Sequence, residues 1–168
     1  MLFQDNKINQ VGALAISTRM QRLADTIRKD GELIYRLYGV DFQPKWFPVF
    51  ITLKDAKSLT VTELADQIGY AHPSTISLLK ELEKNKLIVS KKDKTDERKR
   101  VISLSKSGLE LLSQIEPVWD TMQKSIDDLI NNQNNLLLAI EEMEERLLQQ
   151  SFFQKAMELK NQQSNNQK

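Results

Sequence analysis

Residues 59–88 read LTVTELADQIGYAHPSTISLLKELEKNKLI and contain two short helical patterns separated by a glycine. Thr60 and Glu63 have the spacing of a capping box, in which each side chain bonds the backbone N–H of the other residue. A helix is therefore predicted to begin at Thr60. Gly69 is predicted to end it, since glycine adopts the left-handed conformation that closes helices.

The second pattern covers about residues 73–85 and opens with Pro73, which suits the first turn of a helix. At 100° per residue, its apolar side carries Thr75, Leu78, Leu79 and Leu82. The opposite side carries Ser77, Lys80 and Lys84, with Ser74, Ile76 and Glu81 at the margins. A helix that only packed against a core would not need this polar face, so the face is predicted to touch a partner.

Two short strands are predicted after this helix, at residues 87–89 and 100–104, joined by the polar turn KKDKTDE. The hairpin spans about residues 87–104 and carries the cations Lys91, Lys92, Lys94, Arg98, Lys99 and Arg100. Two helices with a tight turn and a basic hairpin form a winged helix-turn-helix. The second helix of such a motif fits the major groove of DNA, and a basic wing can reach phosphates or the minor groove.

Three motifs follow one another along the chain: TELADQIG, HPSTISLLKELEKNKLI and DKTDERKRVISLSKSG. In this order they resemble the winged helix of the MarR family of bacterial transcription regulators. The third resembles the family's aspartate, arginine two positions on, and Leu-Thr-x-x-Gly close, here Asp96, Arg98, Leu104, Ser105 and Gly108. KWFPVF resembles one branch of the family. Ala71 departs from the family because a capping serine is common there, and Ser105 replaces the usual threonine.

The predicted fold class is mainly α with a small β-hairpin wing: a winged helix-turn-helix domain flanked by N- and C-terminal dimerisation helices. The predicted segments are an N-terminal dimerisation helix (1–42), the DNA-binding domain (43–106), C-terminal dimerisation helices (107–160) and a disordered tail (161–168). Helices at 8–38 and 136–160 carry long apolar stripes that one winged domain cannot bury. The resemblance likewise implies that these helices form a homodimer.

Nine residues are predicted to contact DNA: His72, Ser74, Ile76, Ser77, Lys80, Lys84, Arg98, Lys99 and Arg100. Ile76 either contacts a thymine methyl or packs against the wing. Arg98 either enters the minor groove or forms an ion pair with Asp96 or Glu97. The two roles are compatible if Asp96 orients Arg98 and leaves the far edge of the guanidinium group free. His72 either touches a phosphate at the positive end of the helix or is a neutral surface histidine.

An aromatic group precedes the winged helix: Tyr35, Tyr38, Phe42, Trp46 and Phe47. Core or dimer packing is one interpretation of it. The resemblance implies another, because small aromatic acids bind between the dimer helices and the winged helix in this family. On that interpretation Tyr38, Phe42, Trp46 and Phe47 line a pocket for a small aromatic or phenolic ligand.

Composition excludes several classes of site. The 168 residues include no cysteine and a single histidine, so disulfides, thiolate metal sites and multi-histidine metal sites are impossible. There is no nucleophile–base set and no glycine-rich phosphate loop, so neither catalysis nor a cofactor is expected. No apolar run reaches the roughly 18 residues of a membrane span, and no signal peptide is evident, so the cytoplasm is the expected compartment.

Net charge is only +1, but its distribution is uneven. Residues 86–106 carry a net +5 and residues 107–150 a net −7. That arrangement suits a protein that meets a polyanion with one face, although an unevenly charged, solvated surface is the plainer interpretation.

The sequence therefore predicts a cytoplasmic, homodimeric transcription regulator that is not an enzyme. It is expected to bind a pseudo-palindromic double-stranded DNA operator, to repress, and to be released by a small aromatic ligand. The alternative is a winged-helix protein-interaction module without sequence-specific DNA binding, which would be expected to lack the basic wing.

Overall fold

The computed structural model describes residues 6–93, 96 and 98–165. The chain divides into two compact units, Met1–Met122 and Gln123–Lys168, and each is described by itself. Residues 1–5, Lys94, Thr95, Glu97 and residues 166–168 lie outside the described residues, and with them part of the predicted wing and tail.

The first unit is mostly helical. Its elements in order are α1 (Lys7–Gln10), a 3₁₀ turn (Gly12–Ala15), α2 (Ile16–Leu37), a 3₁₀ turn (Pro44–Trp46), α3 (Phe47–Ala56), β1 (Ser58–Thr60), α4 (Val61–Ile68), α5 (His72–Lys84), β2 (Ile88–Lys92), β3 (Arg100–Leu104) and the start of α6 (Lys106–Ile130). The prediction of one helix over 8–38 is wrong, because Gly12 at φ 73° breaks it. α2 itself continues through Gly31.

The sheet has three antiparallel strands in the order β1-β3-β2. The predicted hairpin is confirmed, with Ile88 opposite Leu104 and Lys92 opposite Arg100. β1 was not predicted, because its three residues are too few to show strand alternation. Its pairing with β3 places Thr60 opposite Val101, and therefore brings the start of α4 next to the wing strands.

The helix-turn-helix forms as its local signals predict. Thr60 Oγ1 accepts a hydrogen bond from the Glu63 backbone N–H at 3.3 Å, and Glu63 Oε2 accepts from the Thr60 backbone N–H at 2.8 Å. The bond from the Thr60 backbone N–H, and then a 2.7 Å bond from the Thr60 hydroxyl to Glu63 Oε2, hold the pKa of Glu63 below its ordinary value. Gly69 ends α4 at φ 68°, and Ala71 stands at the N-cap of α5 without a side-chain bond, as its departure from the family pattern implies.

The core of the first unit lies between α3, α4, α5, the sheet and the first half of α6. Its fully buried side chains include Val49, Phe50, Leu53, Leu64, Thr75, Leu82, Ile102, Ile115 and Val118. α6 starts tightly against the end of α5: Ser105 Oγ donates to the Lys86 carbonyl at 2.6 Å and accepts from the Gly108 N–H at 3.0 Å. A Cβ at Gly108 would overlap the carbonyl oxygen of Leu87, so this position requires glycine.

The second unit contains the end of α6, α7 (Leu136–Gln149) and α8 (Phe152–Asn165). The prediction of one helix over 136–160 is wrong: Gln150 is extended, and Ser151 caps a new helix by accepting from the Gln154 N–H at 3.2 Å. Residues 161–165 are helical, where the sequence predicted disorder. Glutamine sustains a helix well enough to extend it this far.

Among the described residues, no helix combines the length and the apolar character that crossing a bilayer requires.

Candidate nucleic-acid interface

An open groove of about 350 Å³ lies between the start of α4, the outer face of α5 and the wing. It is lined by Thr60, Val61, Thr62, His72, Ile76, Leu79, Lys80, Glu83, Arg98, Lys99, Arg100 and Ile102. Six of the nine residues predicted to contact DNA are therefore brought together here: His72, Ile76, Lys80, Arg98, Lys99 and Arg100. Its cations Lys80, Arg98, Lys99 and Arg100 are exposed, Ile76 is half-buried, and Ile102 lies buried at its base.

The other three predicted contact residues, Ser74, Ser77 and Lys84, do not line this groove. All three are exposed on α5. At 100° per residue, Ser77 and Lys84 lie beside Lys80, so they extend the polar face outward from the groove. Ser74 lies further round the helix.

α5 is held from below by apolar packing, since Thr75, Leu79 and Leu82 are buried. It is also held from the side. One oxygen of Glu81 lies 2.7 Å from Lys45 Nζ, and the other accepts a hydrogen bond from the Trp46 indole N–H at 2.8 Å. Lys45, and then the Trp46 indole, hold the pKa of Glu81 below its ordinary value.

Asp93 and Asp96 form hydrogen bonds with the described residues between β2 and β3. The Asp96 N–H donates to Asp93 Oδ1 at 2.9 Å, and the Lys99 N–H donates to the Asp96 carbonyl at 2.9 Å. Arg98 Nε lies 3.0 Å from Asp96 Oδ1, and Nη2 lies 3.3 Å from Oδ2. The side chain of Arg98 is nevertheless 91% exposed. Arg98 therefore pairs with Asp96 and keeps an open edge, as one of the interpretations required.

A second ion pair crosses the groove. Arg100 Nη2 on β3 lies 3.1 Å from Glu83 Oε1 on α5. Arg98 and Arg100 thus both have carboxylate partners, but those partners differ. Asp96 belongs to the wing itself, whereas Glu83 belongs to the helix that the wing faces.

A sequence model of the MarR family matches residues 38–99.

Residues 38–99 therefore resemble the MarR family in sequence.

This family consists of transcription regulators and not of enzymes. Its matched segment contains α3, α4, α5 and β2, and so includes the helix-turn-helix. No curated protein matches the chain.

Solved structures of the same fold extend the likeness over most of the chain. CouR, a transcriptional repressor solved with a 23-mer DNA duplex, is 20% identical, with a TM-score of 0.66 over 83% of this chain and 98% of CouR. MOSR from M. tuberculosis, solved with DNA, is 18% identical, with a TM-score of 0.65 over 76% of this chain and 91% of MOSR. NadR, solved with 4-hydroxyphenylacetate, is 21% identical, with a TM-score of 0.56 over 77% of this chain and 90% of NadR.

Sequence reasoning missed part of the groove between α4, α5 and the wing. Thr60, Val61 and Thr62 line it at the start of α4, and Glu83 lines it from α5. Thr60 was recognised only as a cap. The groove position of these three residues depends on the pairing of β1 with β3, for which the sequence holds no local signal. Glu83 stands one residue before Lys84 and gave no sign of a partner 17 residues away.

The four residues of the predicted ligand pocket, all in the matched segment, are not alike. Phe42 and Trp46 are buried in the core, with ring centroids 5.7 Å apart in an edge-to-face arrangement. Tyr38 and Phe47 are 45% and 42% exposed. A ligand could therefore reach Tyr38 and Phe47 directly, whereas Phe42 and Trp46 act as core packing.

Helix α6 completes this aromatic group with Trp119, whose ring lies edge-to-face against Phe47 at 5.1 Å between centroids. The Trp119 indole N–H donates to the Tyr35 hydroxyl at 2.7 Å. Burial raises the pKa of Tyr35, and the bond from Trp119 partly opposes that rise. Tyr38 and Thr121 share a further hydroxyl hydrogen bond of 2.8 Å.

Proposed function

We propose that this chain is a DNA-binding transcription regulator that binds a pseudo-palindromic operator as a homodimer and represses transcription. The observation that carries the proposal is the groove between α5 and the wing. It places Lys80, Arg98 and Lys99 in solvent on one side of the molecule, around the half-buried Ile76. Cations there can contact phosphates, while Ile76 and the adjoining Ser77 can reach base edges.

Structures of similar fold that were solved with DNA support this proposal. CouR and MOSR, which share the fold over more than three quarters of this chain, were both solved with DNA. CouR is a repressor, and we extend that direction of control to this chain.

The homodimer is supported by apolar side chains that each unit leaves exposed. In the first unit these are Ile8, Val11, Leu14, Ile16, Met20, Ile27, Leu33 and Leu37. In the second unit they are Leu129, Leu136, Leu137, Leu138, Met143, Leu147, Leu148, Phe152, Phe153, Met157 and Leu159. Apolar side chains exposed in this number indicate an interaction surface, and in our proposal a second copy of the chain covers them. The two recognition helices would then address half-sites about 34 Å apart.

We further propose that a small aromatic or phenolic ligand regulates DNA binding. NadR, which shares the fold, was solved with 4-hydroxyphenylacetate. In this chain, Tyr38 and Phe47 offer exposed rings, and the Tyr38 hydroxyl is hydrogen-bonded to that of Thr121. A ring with a carboxylate or hydroxyl group would fit such a surface.

The test of DNA binding is affinity for a random duplex at about 50 and 200 mM salt, followed by mapping of protected sites on the source genome. A protein that makes 6–10 phosphate contacts loses roughly 10³–10⁵ in affinity across that range. Sedimentation at micromolar concentration tests the dimer, and a stable monomer contradicts it. If the chain binds no duplex at either salt concentration, the protein-interaction module becomes the better assignment.

The direction of control needs its own measurement. A reporter gene placed behind a mapped site should be less active when the protein is present. Higher reporter activity would identify an activator instead.

A further inference from the structure

The polar face of α5 is bracketed by two tethered carboxylates. At 100° per residue, Glu83 and Glu81 lie about 160° apart around the helix axis. The arc between them contains Ile76, Lys80, Lys84 and Ser77, while the remaining arc holds the buried Thr75, Leu79 and Leu82. The carboxylates therefore flank the face formed by Ile76, Lys80, Lys84 and Ser77, and the exposed His72 and Ser74 lie just outside it.

Each carboxylate is attached to a different neighbour. Glu81 is bound by Lys45 at 2.7 Å and by the Trp46 indole at 2.8 Å, both on the 3₁₀ turn before α3. Glu83 is bound by Arg100 at 3.1 Å, on the wing strand β3. A rotation of α5 in either direction must lengthen one of these attachments.

The magnitude of such a rotation matters for reading bases. Side-chain ends lie roughly 5–6 Å from a helix axis, so a rotation of about 20° moves them by about 2 Å. A hydrogen bond tolerates only about 0.5 Å of variation in distance. Apolar packing beneath α5 is not directional in this sense, whereas the bonds of Glu81 and Glu83 are.

We propose that Glu81 and Glu83 are positioning residues that fix the rotation of α5 about its own axis, and so determine its sequence specificity. The inference rests on the proposed DNA-binding function and deepens it. Neither carboxylate needs to touch DNA. The cations Lys45 and Arg100 also offset these two negative charges at the edges of a face that approaches phosphates.

The sharpest variant is Trp46→Phe, which removes the indole N–H but keeps an aromatic ring and the net charge. Trp119→Phe is its matched control, because it removes the other tryptophan N–H bond, to Tyr35, without touching α5. Trp46→Phe should lower the ratio of operator to random-duplex affinity by about 3–10-fold, and Trp119→Phe should leave this ratio unchanged. Thermal unfolding by circular dichroism shows whether both variants remain folded at the assay temperature.

Glu81→Ala and Glu83→Ala, singly and together, form the second arm. Alanine keeps the helix propensity, and removing a negative charge should raise affinity for random duplex about 2–5-fold. Affinity for the operator should fall in the same proteins, by about tenfold or more in the double variant. Opposite changes on the two DNAs are the sign of positioning.

Two results overturn the inference. One is a rise in affinity for both DNAs by the same factor in the glutamate variants, which would mean a purely electrostatic role. The other is an operator-to-random ratio within twofold of the wild type for Trp46→Phe and for the double glutamate variant. A different result would contradict the proposed function itself: the wild-type chain would select no preferred sequence from a pool of randomised duplexes. The inference about Glu81 and Glu83 would then also be wrong.

Discussion

The guanidinium group of Arg98 contacts both carboxylate oxygens of Asp96, at 3.0 and 3.3 Å, while 91% of the Arg98 side chain stays exposed. The contact orders Arg98 through its Nε and one Nη without covering the rest of the group. The Arg98 backbone N–H also donates to Asp96 Oδ1 at 3.1 Å, so one carboxylate fixes both the turn and the side chain. The side-chain bonds from Arg98, and then its backbone bond, hold the pKa of Asp96 below its ordinary value.

Arg98→Ala should weaken binding to all duplexes, because minor-groove and phosphate contacts carry little sequence information. The slope of log affinity against log salt should become shallower by roughly 0.9, the value for one phosphate contact. Arg100→Ala is the comparison variant. Its slope should change less, because the side chain of Arg100, held by Glu83 on α5, is 61% exposed against 91% for Arg98. A larger slope change for Arg100→Ala than for Arg98→Ala would contradict this assignment of the wing cations.

Ser77→Ala and Ile76→Ala should change DNA affinity in a different way from Arg98→Ala. Each should cost about 1–3 kcal/mol on the operator and little on random DNA, because these residues are expected to contact base edges. Ile76 is half-buried in the groove and Ser77 is exposed beside it on α5. Fluorescence anisotropy with the two duplexes measures the difference. Equal losses on both DNAs would mean that α5 does not read bases.

Gly108→Ala should destabilise the fold by about 1–3 kcal/mol, the range for overpacking a core. A Cβ at this position overlaps the carbonyl oxygen of Leu87, and backbone cannot move aside as a flexible side chain can. Gly31→Ala in α2 is the control, since the nearest atoms to its Cβ are Pro44 Cγ at 3.8 Å and Met122 Cε at 4.0 Å. That variant should gain up to about 1 kcal/mol from helix propensity. Urea unfolding of both variants measures these effects.

Local signals predicted the elements of the winged helix, whereas long-range contacts decided the rest of the site. Thr60, Glu63 and Gly69 act within one helix, so their capping and termination roles could be predicted from spacing. The bond from Trp46 to Glu81 spans 35 residues, and the pair of Glu83 with Arg100 spans 17. No periodicity in the sequence predicts such pairs, because they depend on where the 3₁₀ turn and β3 come to lie.

The apolar stripes of the terminal helices predicted more continuity than the structure has. Apolar spacing predicted unbroken helices over 8–38 and 136–160, but Gly12 and Ser151 interrupt them. Apolar spacing indicates which side of a helix is buried. It does not indicate where a residue with a left-handed backbone or a local cap ends the helix. Both breaks carried local signals, a glycine and a Ser-x-x-Gln cap, that the stripes obscured.

The ion pair of Glu81 predicts a pH dependence of stability. Its folded-state pKa lies below the ordinary 4.5, so the folded protein binds fewer protons than the unfolded chain there. The contribution is fully present above the unfolded pKa and is lost as pH falls through the folded pKa. The difference in free energy of unfolding between wild type and Glu81→Gln should thus be constant from pH 7 to about 5.5 and shrink below about 4.5.

Lys45→Met is the control for that titration. Lys45 is the largest cause of the lowered pKa of Glu81, so its removal should bring the pKa back toward the ordinary value. Urea unfolding at pH 7, 5, 4 and 3 measures both variants. A wild-type advantage over Glu81→Gln that grows on acidification would have the wrong sign and would exclude this ion pair as its source.

Release from DNA should respond to a small aromatic acid and not to reversible oxidation. The chain has no cysteine, so no thiol can be oxidised and restored. A ligand held by the exposed rings of Tyr38 and Phe47 needs only to favour a dimer whose recognition helices stand at the wrong separation. A coupling of about 1–3 kcal/mol would then weaken DNA binding about 5–150-fold. Anisotropy with salicylate-like acids, alongside low-dose peroxide, measures the response. Tyr38→Ala should abolish the response while Tyr38→Phe, which keeps the ring, should retain most of it. Reversible release by peroxide with no effect of any aromatic acid would show the hypothesis to be wrong.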